Sequence, residues 1–330
     1  MKKVTSIIIV LIIAVSLFPS QLYSWGFFAH KRINRLAIFT LPPGMIGFYK
    51  KNMEYISEHA VDPDKRRYAI DGEAERHFID MDHYAKKQED PFENVPQNWV
   101  QAVAKFSEDT LKSHGIVPWH IELMVKRLTN AFKEEDLEKI LKYSAELGHY
   151  IADAHVPLHT TENYNGQLTD QRGIHGFWES RLPELYASNY DNFVGRAKYI
   201  DKPLQKAWSI VKISFQAKDS VLEFEAKLNK RFPPDKKYAI ENRGNISTKV
   251  YSQAYSLEYD SLLNGMVEKR FREAINTIGN FWYTAWVNAG QPDLNNLNND
   301  KVIIEMQKKA LEEERHWNTV KRIILKGHED

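Results

Sequence analysis

Residues 148–159 read GHYIADAHVPLH and place His149, Asp153, His155 and His159 in one short stretch. Imidazole and carboxylate groups are the side chains that hold a transition metal when no thiolate is present, and the chain has no cysteine. His149 and Asp153 are four residues apart, so on a helix they point the same way. Pro157 ends such a helix, and His159 follows where the chain can turn back over that face. The stretch GIHGFWES repeats the pattern, with His175 and Glu179 again four apart. Upstream, DPDKRRYAIDGEAERHFIDMDHY offers Asp62, His77, Asp80 and Asp82, and WGFFAH offers His30. A single His-x3-Asp pair is more often a local hydrogen bond than a ligand pair. Two His–carboxylate pairs with a third His between them favour a metal site, and imidazole with carboxylate suits zinc. Isolated His114, His120 and His316 read as surface or helix-end residues, and Asp64 with Lys65, Arg66 and Arg67 as a solvated charge cluster. His155, two residues on from Asp153, points away from that face and reads as structural.

Helical patterns must supply the positions. Helices are predicted over 99–113, 120–132, 135–155, 204–229, 247–287 and 299–326. In 135–155 the residues Leu137, Leu141, Ala145, Gly148 and Ala152 form one stripe at helical spacing. The aromatic-rich run FWYTAWVNAG stops at Gly290 and Pro292, a normal helix end. Few segments alternate as half-buried strands do. The breaks at 42–44, 90–96, 160–174 and 233–234 are too short and too mixed in composition to be linkers. The expectation is an all-α chain, a single-domain multi-helix bundle with a metal cluster in a cleft, spanning 25–297, with a charged helical extension over 298–330.

Forty-five basic side chains against forty-four acidic ones leave a net charge of +1, and therefore no bulk field to grip nucleic acid or an anionic membrane. Any anionic substrate must be held locally. Lys2 and Lys3 precede an apolar run from Ser6 to Phe18 and the exit PSQLYSW, which reads as a signal peptide over 1–24 cleaved after Ser24. The run is shorter than the roughly 20 residues that span a bilayer, so the mature chain is expected to have no transmembrane segment. It would start at Trp25 and be periplasmic or secreted.

The ordered motifs resemble the superfamily of trinuclear-zinc phosphodiesterases, which comprises S-one/P-one type nucleases and bacterial zinc-dependent phospholipases C. The resemblance rests on Trp25 in WGFFAH, on HFID, on HYIADAHVPLH, and on His175 followed four later by Glu179. It implies three zinc ions. One would be held by Asp62, His77, His149 and Asp153, and a second by His159, His175 and Glu179. The third would take the α-amino nitrogen and carbonyl oxygen of Trp25 with His30, and share Asp153 as a bridge. Asp80 matches the position that orients the attacking water. The phosphate clamp falls among Lys65, Arg66 and Arg67, with Arg66 chosen as its place. Lys65 stands where the nucleases have Arg, and Glu179 and the second Asp of HFIDMD are phospholipase-like. The Trp25–His30 spacing and HVPLH are nuclease-like.

Clustered dications lower the pKa of a shared water and neutralise charge gathering at phosphorus, so the ions supply the field that the uncharged chain lacks. The reading is zinc-dependent phosphodiester hydrolysis by a monomer. The favoured substrate is single-stranded RNA or DNA, with Tyr84, Tyr164, Phe177 and Trp178 as candidate stacking platforms. The alternative is a phospholipase C, for which PPGMIGFY (42–49) is the apolar candidate to meet lipid. A metal-holding protein without activity is the third possibility, and the intact ligand set with Asp80 argues against it.

Overall fold

Asp136 caps a helix by accepting the Lys139 N–H at 3.0 Å, and that helix runs to Ala154, three residues short of Pro157. It is the central element of the fold. The computed structural model describes residues 26–85, 89–243, 246–297 and 299–326. The expected leader, 1–24, and Trp25 lie outside the described residues. The elements used below are α1 (Phe27–Ala37), α2 (Asp62–Arg66), α3 (Val117–Lys133), α4 (Leu137–Ala154), α5 (Pro203–Arg231), α6 (Gln253–Leu263), α7 (Met266–Asn288) and α8 (Asp300–Lys326). One antiparallel hairpin, β1 (Tyr238–Arg243) with β2 (Ile246–Tyr251), accompanies them. Helical segments make up 71 % of the structure, so the fold is all-α.

From Ser144 to Ala154 every residue of α4 is buried. A helix enclosed on all sides is a core helix, and any polar residue in that stretch must find a partner or a ligand. α3, α7 and α1 pack around it. Gly148 permits the approach of α1, since a Cβ there would lie 2.1 Å from Asn34 Oδ1, while Asn34 Nδ2 donates to the Ala145 carbonyl at 3.0 Å. Filling that space costs about 1–3 kcal/mol in a packed core. Trp282 of α7 donates its indole N–H to the Ser144 carbonyl at 3.0 Å and ties α7 to the same helix.

Two expected helices are divided. The 99–113 segment is Trp99–Phe106 and Glu108–Ser113, separated by Ser107 at φ 69°, whose hydroxyl caps the second piece at Thr110 N–H. The 247–287 segment is β2, α6 and α7, broken by Asn264 and Gly265 at φ 50° and 74°. The aromatic and β-branched residues of ISTKVY favour a strand, and Gly244–Asn245 ahead of them is a hairpin signal. The final helix α8 lies across α2 and α4, burying Met306 and Trp317. Among the described residues no helix is long and apolar enough to cross a membrane.

Candidate metal centre

Five elements deliver donors to the end of α4 where Asp153 sits. His30 comes from α1 and Asp64 from α2. His77 lies just after the turn Ala74–Arg76, and His159 lies in the turn Pro157–Thr160 that follows the end of α4. His175 and Glu179 lie on the short helix that starts at Ile174 and continues as a π-helical stretch, Phe177–Arg181. The wider π turn is a common device at functional sites, and it keeps His175 Nε2 and Glu179 Oε2 3.0 Å apart.

The donors form two compact sets around one bridge. In the inner set His77 Nδ1 and His149 Nε2 lie 3.0 Å apart, at 2.9 and 3.1 Å from Asp153 Oδ2, with Asp64 Oδ1 3.7 Å from each nitrogen. In the outer set His159 Nε2 is 3.1 Å from His175 Nε2 and 3.4 Å from Glu179 Oε2. His30 Nε2 lies 3.3 Å from the other oxygen of the bridge, Asp153 Oδ1, and its ring stacks on His149 at 4.0 Å. A tetrahedral zinc with bonds of about 2.0–2.1 Å sets its donor atoms roughly 3.3–3.4 Å apart, which the two sets match.

Hydrogen bonds on the far side of the rings decide which nitrogen is free to bind. The Nδ1–H groups of His149, His159 and His175 donate to the carbonyls of Ala60, His77 and Tyr164, at 2.8, 2.6 and 3.1 Å. Their Nε2 lone pairs therefore face the centre, as they do in metal sites whose ligands are oriented from behind. Lone pairs of His159 and His175 at 3.1 Å beside a carboxylate repel unless a cation lies among them. Burial, followed by the charge of His149, lowers the His30 pKa to about 4, and burial lowers that of His175 to about 4. Both rings are thus neutral and ready to coordinate. On His149 burial opposes charge, but Asp153 and Asp64 outweigh it and raise the pKa to about 9. A dication performs the same neutralisation and displaces that proton. Burial works against the Asp153 anion, yet His149 and His159 hold its carboxyl well below the usual range. His77 is backed by Glu73, whose Oε1 is 3.7 Å from Nε2, and Glu73 is itself held ionised against its burial by His77 and Arg66.

Two expected residues stand elsewhere. Asp62 does not reach the donors. It accepts from His59 Nδ1 at 2.5 Å and lies 3.3 Å from Lys65 Nζ, on the side of α2 that faces α8. Residues two apart on a helix point in nearly opposite directions, so Asp64 takes the place assigned to Asp62. Arg66 is likewise turned inward, donating to Glu73 at 2.8 Å, Glu146 at 2.5 Å and the Tyr150 hydroxyl at 3.1 Å. All of its donors serve the support behind His77. The residue among the three cations that lines the cleft is Arg67. Trp25 lies outside the described residues. Its neighbour Gly26 donates to Ser180 Oγ at 3.1 Å, one residue from Glu179. His155 points away as expected, giving its Nδ1–H to the Ile151 carbonyl at 2.7 Å.

Over residues 29–241, well more than half of the chain, the sequence matches the model of the zinc-dependent phospholipase C family. The chain belongs to that family. It is a zinc-dependent phosphoric diester hydrolase, a member of the trinuclear-zinc phosphodiesterase superfamily. A search of curated proteins returns no match.

In this zinc-dependent phospholipase C relative the outer donors open into a cleft of about 410 Å³, whose lining includes His159, His175, Asp80, Arg67, Glu162 and Tyr164. Burial, then the charges of Asp82 and Glu162, push the Asp80 pKa up to about 7. Such a carboxyl is poised for proton transfer near neutrality. Of the four aromatic candidates only Tyr164 faces this space, 41 % exposed; Tyr84, Phe177 and Trp178 are buried in the core. Within PPGMIGFY, Met45, Phe48 and Tyr49 are buried too.

Sequence reasoning passed over Glu73, Glu146 and Tyr150. Glu73 and His77 are four apart, the same signal that singled out His149 and Asp153.

Proposed function

We propose that the protein is a phospholipase C, which hydrolyses the phosphodiester between diacylglycerol and the head group of a phospholipid. The cleft beside the outer donors carries this reading. It joins an acid–base residue and a cation to an apolar rim: Tyr68 and Tyr164 line it, and Leu168, next to the lining residue Gln167, is 66 % exposed. Apolar side chains left in water at the mouth of a charged site suit a substrate with acyl chains. The family match supports the same substrate class. The nuclease reading retains only Tyr164 as a base platform.

Bound zinc supplies Lewis acidity and the positive field that a phosphodiester anion needs. The ligands in this reading are Asp64, His77, His149 and Asp153 for the inner ion, and His159, His175 and Glu179 for the outer one. A third ion would use His30, the shared Asp153 and the terminal amine of Trp25, exposed once an exported precursor loses residues 1–24. Arg67 holds the nonbridging phosphate oxygens, and Asp80 takes the proton of the attacking water. Glu162, exposed at the cleft beside Tyr164, favours a positively charged head group.

The test is direct. Protein starting at Trp25 is loaded with zinc and offered phosphatidylcholine vesicles and single-stranded DNA, each with and without chelator. Diacylglycerol release abolished by chelator, with intact DNA, is the expected result. Cleavage of DNA alone would install the nuclease reading, and hydrolysis of neither substrate would overturn both. Metal analysis of the same sample should return three zinc ions per chain.

A further inference from the structure

His114 is a lone histidine that sequence context assigns to the surface, yet it stands beside Asp80, a carboxyl in the cleft that is not placed to bind zinc. Its Nδ1 lies 3.8 Å from Asp80 Oδ2, with side-chain exposures of 24 % and 13 %. The spacing is set by backbone pairing. Asp80 N–H donates to the His114 carbonyl at 2.7 Å, Ile116 N–H to Glu75 at 2.7 Å, and Val117 N–H to Phe78 at 3.2 Å. Gly115, at φ 87°, makes this approach possible, since a Cβ there would lie 2.2 Å from the Phe78 carbonyl oxygen. The pairing uses only the backbone of residue 114, so the imidazole is not needed to hold the segment. The ring is nevertheless kept in place by a stack on His83, with centroids 3.3 Å apart and planes within 17°. His83 is exposed. The His114 ring thus lies between Asp80 and the exposed His83. Burial, then the neighbouring His83, lowers the His114 pKa against the opposing charges of Glu162 and Asp82, so the ring is neutral and has a lone pair to take a proton.

We propose that His114 is a positioning residue for Asp80: its imidazole receives, directly or through one water, the proton that Asp80 takes from the attacking water, and releases it to solvent. This rests on the assignment of Asp80 as the base. In the step, an O–H bond of water breaks as its oxygen bonds to phosphorus, and the ester P–O bond breaks to free the alcohol oxygen. The proton on Asp80 moves to His114 Nδ1, which returns Asp80 to its anionic form, and the alkoxide takes a proton from solvent. A gap of 3.8 Å closes with a small side-chain rotation or one bridging water, and such contacts commonly tighten when substrate binds.

The experiment uses the zinc-loaded mature protein and bis(p-nitrophenyl) phosphate, an activated phosphodiester whose leaving group needs no proton. Asp80→Asn should lower kcat by about 10²–10⁴-fold, the usual range for a lost general base. His114→Ala and His114→Asn should each lower kcat by roughly tenfold or more while KM stays within about twofold and zinc content is unchanged, because proton transfer and not binding is impaired. Added imidazole should restore part of that loss, measured against wild type in the same buffer. His83→Ala should stay within about threefold of wild type, since the stack only orients the ring. Wild-type kcat in both His114 variants, a loss that imidazole does not restore, or an equal loss in His83→Ala would overturn the proposal. Wild-type kcat in Asp80→Asn would instead overturn the assignment of the base.

Discussion

The inner and outer donor sets use the same side-chain chemistry in different surroundings. His77, His149 and Asp153 are wholly enclosed, whereas His159 and His175 form part of the cleft wall. The inner set has two carboxylates, Asp64 and Asp153, and its His77 is supported by the anion Glu73. The outer set has Glu179 alone, and its two rings are supported by neutral backbone carbonyls. More anionic charge and less solvent favour retention of a dication, and an open side favours contact with substrate. In the proposed reading this difference would divide the labour: the inner set would hold its ion and set the field, and the outer set would meet the phosphate.

The most severe way to break this division is to remove the bridge. Asp153→Ala should lose two zinc ions together with activity, while His175→Ala loses one. Metal counting by mass spectrometry separates them, and equal losses would contradict the shared role of Asp153. Next in size is the support behind the inner set. Glu73→Gln should weaken inner zinc by about 10–100-fold in a chelator competition, the range typical of an orienting partner. Earlier release of outer zinc in that variant would reverse the comparison.

A pH profile probes the cleft side. With its pKa raised to about 7, Asp80 is protonated as pH falls through that value, so kcat/KM should decline on the acid side. Glu162→Gln removes one of the charges that raise this pKa and should move the acid limb to lower pH by a few tenths of a unit. A shift to higher pH would refute the electrostatic origin. The smallest effect belongs to Asp62→Asn, which should leave zinc content unchanged and cost about 1 kcal/mol in a denaturant melt, through weaker contacts to His59 and Lys65. Asp64→Asn should do the opposite and release inner zinc readily. Exchanged outcomes would restore Asp62 as the ligand.

The residues legible from sequence were those whose partners lie four apart on one helix. His149 with Asp153 and His175 with Glu179 needed no knowledge of the fold to be paired. His30, His77 and His159 followed from the order of motifs, and the structure brings them to the same centre. The choice between Asp62 and Asp64, or between Arg66 and Arg67, depends on how α2 is rotated. Each residue turns the helix by about 100°, and that rotation is set by the packing of α8 and α4 more than by anything within DPDKRR. The all-α class was legible from periodicity. The β1–β2 hairpin was not, because its strands run directly into the helical pattern of α6, and the Asn264–Gly265 break was a turn signal left unread within a long apolar pattern.

The five residues of α2 present Asp64 to the metal donors on one side and, through Lys65 Nζ, reach Glu314 Oε2 of α8 at 2.9 Å on the other. A short helix gripped from both sides transmits load between them. Were α2 held in place from both sides, α8 and an ion in the inner set would each raise the affinity of the other. Clipping the chain before Asp300 should let chelator strip inner zinc at a lower concentration, and saturating zinc should in turn protect α8 from proteolysis. In that case α8 would act as a tension member on the inner donors, and zinc release unchanged by the clip would show that it does not.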